Sequence, residues 1–403
     1  MTELFNLGEL YVSDFLKEGE KPRGEKIEMK LILGKYGEVR LEKTANLDTM
    51  YGKYWYRSGI NTTMRKALED VVNSITSVYK LKHDDLWVDI ACNDGTLFEC
   101  VPNYVLKVGI DPADDSFVRE SELKADLIIQ DYFTADTFLK SAYGHLKANV
   151  ITSIAMFYDV ADRESFLKDV YTVLEDNGLW VLQLSYTPLM LEQLAFDNIC
   201  HEHFYYYSLF NIKNIFERNG FKIMDCQLND INGGSFRIYV MKDCGNESLF
   251  GTQPHRDVCR FRINSLLEYE NTLCLDSILT WEYFLKQVDC LKEKTMAFIR
   301  SQVSIGKTVM GYGASTKGNT LLQYFGLNST LITAIAERSP YKVGLRTVGT
   351  DILIISEEEM RNAQPDYLLV LPWHFINEFK ERESEYIRKG GHFIVPCPKF
   401  EII

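Results

Sequence analysis

The sequence predicts an α/β protein with two doubly wound sheets behind a small β-rich N-terminal region. Three observations carry this. From Leu86 to Val240, apolar strand-like runs alternate with helical periodicity; the same alternation resumes after residue 300; and residues 246–300 between them read as mostly helical. At 403 residues the chain is too long for one core, so two or three domains are expected.

The first 65 residues carry short strand-like runs, Lys30-Leu-Ile-Leu33 and Glu38-Val-Arg-Leu41, with Gly37 as the turn between them. An aromatic stretch, Tyr51 to Gly59, leads into a helix starting near Thr62, whose apolar face is Met64, Leu68, Val71, Val72 and Ile75. The strands of the first sheet are read at 86–91, 105–110, 127–129, 150–155 and 179–184, and those of the second at 308–311, 331–336, 367–371 and 392–395. No sequence repeat relates the two sheets.

Composition excludes several classes. Hydrophobic residues make up 46% and charged residues 25%, ordinary for a globular protein with a filled interior. No stretch approaches a membrane span, and Met-Thr-Glu-Leu-Phe-Asn at the start lacks the pattern of an export signal, so the expected location is the cytoplasm. The nine cysteines are scattered and never form Cys-x-x-Cys, which points to reduced thiols rather than disulfides or a thiolate metal site. A net charge of −13 opposes nucleic-acid binding, so an anionic ligand needs a local group of cations and backbone N–H donors.

In an open α/β sheet, ligands bind beyond the carboxyl ends of the strands. The turn Cys92-Asn-Asp-Gly-Thr96 follows the first strand, and Asp111 ends the second, where an acid meets ribose hydroxyls. The turn is not the Gly-x-Gly-x-x-Gly of a dinucleotide site, and Asp89 stands where an acid can face a cationic ligand; a positively charged single-nucleoside cofactor fits better than NAD. The second sheet opens with Gly311-Tyr-Gly-Ala-Ser-Thr-Lys317, whose helix N-terminus and Lys317 suit phosphate oxygens, with Arg338, Lys342 and His374 on neighbouring loops.

The segment Phe196 to Leu209 places His201 and His203 either side of Glu202, a pattern suited to proton abstraction because histidine titrates near neutrality and a carboxylate can fix its tautomer. The pair lacks the i, i+4 spacing of a helical zinc site, and no metal is expected there.

Along nearly its whole length the chain resembles the sugar-nucleotide C-methyltransferases that make branched-chain deoxysugars. The matching stretches are Tyr54-Trp-Tyr-Arg-Ser-Gly59 with 61–65, Ile90 to Thr96, Ser153 to Asp159, Phe196 to Leu209, Gly311 to Gly326 and Leu371-Pro-Trp-His-Phe375. The resemblance implies a class I methyltransferase sheet over residues 66–245, a helical connector over 246–300, a sugar-nucleotide-binding α/β domain over 301–403, and S-adenosylmethionine as cofactor. It implies His203 as the base, assisted by Glu202, with His201, Tyr56, Tyr206 and Tyr207 as open alternatives for stabilising an oxyanion. The expected cofactor set is Asp89, Ala91, Cys92, Asn93, Gly95, Asp111, Tyr132, Phe133 and Ser153. The expected substrate set is Tyr54, Arg57, Tyr206, Tyr207, Gly313, Ser315, Thr316, Lys317, Asn319, Arg338, Lys342 and His374.

The chain departs from that family at its start. Where relatives carry Leu-Cys-x-x-Cys-Gly it has Ile32-Leu-Gly-Lys-Tyr-Gly37, and the earlier cysteine pair is also missing, so residues 1–65 are expected to form a zinc-less domain held by Leu31, Ile32, Leu33, Val39 and Leu41 and docked on the methyltransferase domain. Cys200 stands where some relatives have a tyrosine, and Phe157 and Tyr158 stand near the place of a histidine. O-methylation of a sugar hydroxyl, NAD-dependent oxidation of a sugar nucleotide through the Gly311–Gly313 turn, and a non-catalytic scaffold remain open, as do the sugar and whether the chain is a monomer or a dimer.

Overall fold

The computed structural model describes residues 2–403 apart from Tyr36, 46–49 and 51–54. The chain divides into two compact units that do not follow the expected linear order. One comprises Met1–Met50, Leu189–His203 and Leu275–Ile403; the other comprises Tyr51–Pro188 and Phe204–Cys274.

The N-terminal strands β1 (Thr2–Leu10), β2 (Ile27–Leu33) and β3 (Val39–Leu41) pair antiparallel in that order. Leu31, Ile32, Val39 and Leu41 are buried as expected, and Leu33 partly so. Residues 1–50 cluster with the C-terminal residues. Tyr11 N–H donates to Gln323 Oε1 at 2.8 Å, Phe15–Leu16 pairs with Arg346–Thr347, and the Phe5 and Phe284 rings lie 5.3 Å apart. These contacts join residues some 300 positions apart, which no local pattern in the sequence records.

The second unit begins with α1 (Thr62–Val78), capped by the Asn61 side chain and burying the apolar face expected of it. Its seven-stranded sheet contains β4 (Leu86–Ile90), β5 (Leu106–Ile110), β6 (Leu127–Ile129), β7 (Ala148–Ile154), β8 (Leu174–Ser185), β9 (Phe221–Asn229) and β10 (Ser235–Lys242). The order across the sheet is β9-β10-β8-β7-β4-β5-β6, parallel except at β10, which runs antiparallel to both β8 and β9. The strand order reverses between β4 and β7, and ligands of this fold bind beyond the carboxyl ends of the strands at such a point. The helix α2 (Gln253–Leu273) closes this unit against β9.

The first unit resumes with α3 (Ile278–Ser304) and a second sheet of β11 (Val309–Tyr312), β12 (Ile335–Glu337), β13 (Ile354–Ser356), β14 (Tyr367–Val370), β15 (His392–Val395) and β16 (Glu401–Ile402). Its order is β13-β12-β11-β14-β15-β16, parallel except for β16. The helix α4 (Thr316–Phe325) follows β11 and is capped by Ser315. Among the described residues no helix is long and apolar enough to cross a membrane.

Candidate active site

The cofactor turn is built by backbone geometry that few residues tolerate. Ala91, Asn93 and Gly95 have φ of 59°, 54° and 71°, and a Cβ on Gly95 would lie 2.9 Å from Ser121 Cα. Asp111 holds the turn from the next strand, its Oδ2 accepting from Asn93 N–H and its Oδ1 from Ala113 N–H, both at 2.8 Å. Burial pushes its carboxyl above the ordinary value. Asp89, 3% exposed, accepts from Thr152 Oγ1 at 2.6 Å and meets no cation among the described residues. Burial therefore raises its pKa to about 7, and a cationic ligand is the chemistry that would relieve it. A strand-end acid, an uncompensated buried carboxyl and a tight turn together fit S-adenosylmethionine.

The segment 55–61 lies on this turn, which sequence reasoning missed. Ser58 N–H donates to Asn93 Oδ1 at 3.0 Å, Gly59 N–H to Asp94 Oδ2 at 2.8 Å, and Asn93 Nδ2 to the Tyr56 carbonyl at 3.0 Å. The Asn-Asp pair in the turn was the available signal, since both side chains favour bonds to nearby backbone. Cys92 is buried with its thiol held protonated, while Tyr132 is exposed beside Phe133, whose ring meets Phe166 at 5.4 Å.

Several expected residues make structural contacts. Ser153 is wholly buried in β7, where its Oγ accepts from the Trp180 indole at 3.1 Å. The Arg57 guanidinium lies over the Phe117 ring at 3.9 Å and pairs with Glu120 at 2.8 Å. Tyr207, 1% exposed, stacks on Phe157 with ring centroids 5.4 Å apart, and Tyr206 is buried beside it in the chain. Alternation along a strand does not reveal which face is lined by core, so these assignments could not be separated from ligand contacts by pattern alone. Tyr54 lies outside the described residues.

In the first unit the His-Glu-His segment is anchored on the C-terminal sheet. The Phe196 ring stacks on Phe325 at 5.2 Å, Trp373 Nε1 donates to Asp197 Oδ2 at 3.2 Å, and Lys317 Nζ donates to Asn198 Oδ1. The Lys317 cation thereby faces the acid/base segment. Burial pushes the His203 imidazole down to about 3 and the Glu202 carboxyl up to about 7, with Lys317 lowering both. His374 behaves like His203, falling to about 3 through burial and the same lysine. Lys317, read from the sequence as suited to phosphate oxygens, is also the cation that acts on His203, Glu202 and His374.

His201 is turned elsewhere. Its ring faces the backbone carbonyls of Ile27 and Leu10, burial lowers its pKa to about 4, and its own carbonyl accepts from Thr44 Oγ1 at 2.6 Å. The Gly-rich turn is also internally bonded: Gly313 has φ 82°, Ser315 Oγ accepts from Gly318 N–H, and the Thr316 carbonyl accepts from Ser13 Oγ. Asn319 Nδ2 donates to Ser13 Oγ at 2.9 Å, and buried Lys342 donates to the Ala314 carbonyl at 2.7 Å, so both hold the N-terminal segment and the turn in place. Glu337, at the end of β12, accepts from Ala314 N–H at 2.7 Å and from Ser339 N–H at 2.8 Å, repeating the clasp that Asp111 makes in the other unit. Arg338 is half-exposed near Glu378.

Residues 60–225 match the family described as methyltransferase domain, and residues 230–398 match the C-methyltransferase C-terminal domain. The chain is 28% identical over 357 residues to the C-methyltransferase NovU of Streptomyces niveus, covering 88% of this chain and 82% of that one. Magnesium protoporphyrin IX methyltransferase of Synechocystis aligns with 50% of this chain and 90% of its own at 13% identity and a TM-score of 0.36. An S-adenosylmethionine-dependent methyltransferase of Clostridium acetobutylicum aligns with 45% and 92% at 14% identity and a TM-score of 0.33. With a methyltransferase domain whose turn and strand-end acids suit the cofactor, followed by the C-terminal domain of the C-methyltransferases, the chain carries the domains of an S-adenosylmethionine-dependent C-methyltransferase.

Proposed function

We propose that the protein methylates the carbon beside the ketone of a nucleotide-linked keto-deoxysugar, through an enolate generated by His203. The observation that carries this reading is the docking of the His-Glu-His segment on Lys317, which sets a neutral imidazole beside a cation. A hydrogen on carbon is removable at neutral pH only next to a carbonyl whose developing oxyanion is stabilised. His203, held unprotonated by burial and by Lys317, is in the form that accepts a proton. An imidazole with so low a pKa is a weak base, and an anionic substrate near Lys317 offsets that cation and strengthens it. Lys317 then supports the oxyanion, and Glu202, poised near neutrality, supports the imidazolium once ionised. Bound S-adenosylmethionine supplies the electrophilic methyl group. Deprotonation at carbon distinguishes this reading from O-methylation, and the relatives' C-methyltransferase descriptions support it.

The test is to incubate the protein with S-adenosylmethionine carrying a 13C methyl group and a panel of keto-sugar nucleotides. The expected product gains one methyl whose carbon shift is that of a methyl on carbon. A methyl on oxygen, or no transfer to any keto sugar while a sugar lacking a ketone is methylated, would overturn the proposal.

A further inference from the structure

The helix α2 places His255 and Cys259 one turn apart, a spacing that aligns two side chains on one helical face. That helix packs on β9, which contributes Asp225. Cys259 Sγ lies 3.3 Å from His255 Nε2, and the ligating atoms of Asp225, His255 and Cys259 all lie within 4.8 Å of one another. Asp225 and Cys259 are completely buried, His255 is partly exposed, and none of the three takes part in the chemistry above. One thiol, one imidazole and one carboxylate form the donor set of a borderline divalent transition ion.

We infer that Asp225, His255 and Cys259 form a binding site for a single zinc ion that pins α2 to the methyltransferase sheet. Zinc bonds of about 2.0–2.3 Å in tetrahedral array put neighbouring ligand atoms about 3.3–3.8 Å apart, so the His255–Cys259 pair already has the separation and the remaining distances close by about an ångström. Three protein ligands leave one position for water, entering from the side of His255. The Asp225 carboxylate also accepts from Cys226 N–H, Gln227 Nε2 and Arg262 Nη1. The ion takes the place of a bond from Gln227 or Arg262, both of which reach solvent. Without an ion, burial and then the charge of Asp225 push the Cys259 thiol up to about 12; on binding, the thiol proton leaves to solvent and the thiolate becomes a ligand. The sequence signal is His-x-x-x-Cys on a helix, overlooked because the third ligand lies 30 residues upstream on a strand.

The full-length protein, stripped with a chelator and titrated with Zn2+ and then with Co2+ as a spectroscopic probe, tests this. One equivalent is expected to bind, with a thiolate-to-cobalt charge-transfer band, a proton released per ion, and a rise in melting temperature on adding zinc. His255→Gln, at a partly exposed position, and Cys259→Ser are each expected to weaken zinc binding roughly a hundredfold or more and to abolish the zinc-dependent rise. Absence of the charge-transfer band in the wild type, or zinc affinity unchanged in His255→Gln, would overturn the assignment even if Cys259→Ser failed to fold.

Discussion

Replacing Asp111 by asparagine probes the cofactor turn with almost no change in shape. The aspartate accepts two backbone N–H bonds at 2.8 Å, from Asn93 and Ala113, and so holds a turn in which Ala91, Asn93 and Gly95 all have positive φ. An amide presents one acceptor oxygen, so one of the two N–H groups loses its partner at a cost of about 1–3 kcal/mol, seen as reduced stability. The ribose hydroxyls expected to donate to the same carboxylate lose charge-assisted bonds worth together about 2–4 kcal/mol, a roughly 30- to 700-fold fall in affinity. Calorimetric titration with S-adenosylhomocysteine, run beside thermal unfolding, separates the two effects. A folded Asp111→Asn protein that binds as tightly as the wild type would refute the assignment of the turn.

Three further outcomes are expected. Lys317→Met should lower kcat by roughly 10²- to 10³-fold with a smaller change in KM, if the lysine supports an oxyanion; a change confined to KM would make it a phosphate anchor. Glu202, raised by burial to about 7 from an ordinary value near 4.5, contributes stability in its protonated form that is complete below pH 4.5 and lost as pH rises through 7. Glu202→Gln should therefore be up to about 3 kcal/mol more stable than the wild type at pH 8 and differ little at pH 4, and equal denaturant midpoints at both pH values would contradict that. The N-terminal strands should need no metal: Leu31→Ala is expected to cost about 2–5 kcal/mol in a single transition shared with residues 275–403, whereas a separate transition abolished by chelators would contradict it.

The parallel strands were legible because strands covered on both faces read as largely apolar runs, as in Leu179-Trp-Val-Leu and Tyr367-Leu-Leu-Val. The place of Asp111 was legible because it ends an apolar run, and the structure puts it just past β5, holding the turn. The burial of Ser153 and Tyr207 was not legible, because burial on one face of a strand and exposure to a ligand on the other leave the same residue pattern. The meeting of Lys317 with the His203 segment depends on residues 189–203 clustering with the C-terminal residues, recorded in the packing of Phe196 on Phe325 and of Trp373 on Asp197. The N-terminal strands show the same limit, since Tyr11 finds its partner at Gln323.

Exchange of the substrate's acidic carbon-bound hydrogen with solvent deuterium reports proton abstraction by itself, apart from methyl transfer. With a keto-sugar nucleotide in D2O, the wild type should exchange that hydrogen, and His203→Asn should exchange it roughly a hundredfold or more slowly while binding S-adenosylhomocysteine normally. Exchange at the wild-type rate in the folded His203→Asn protein would contradict the assignment of His203 as the base.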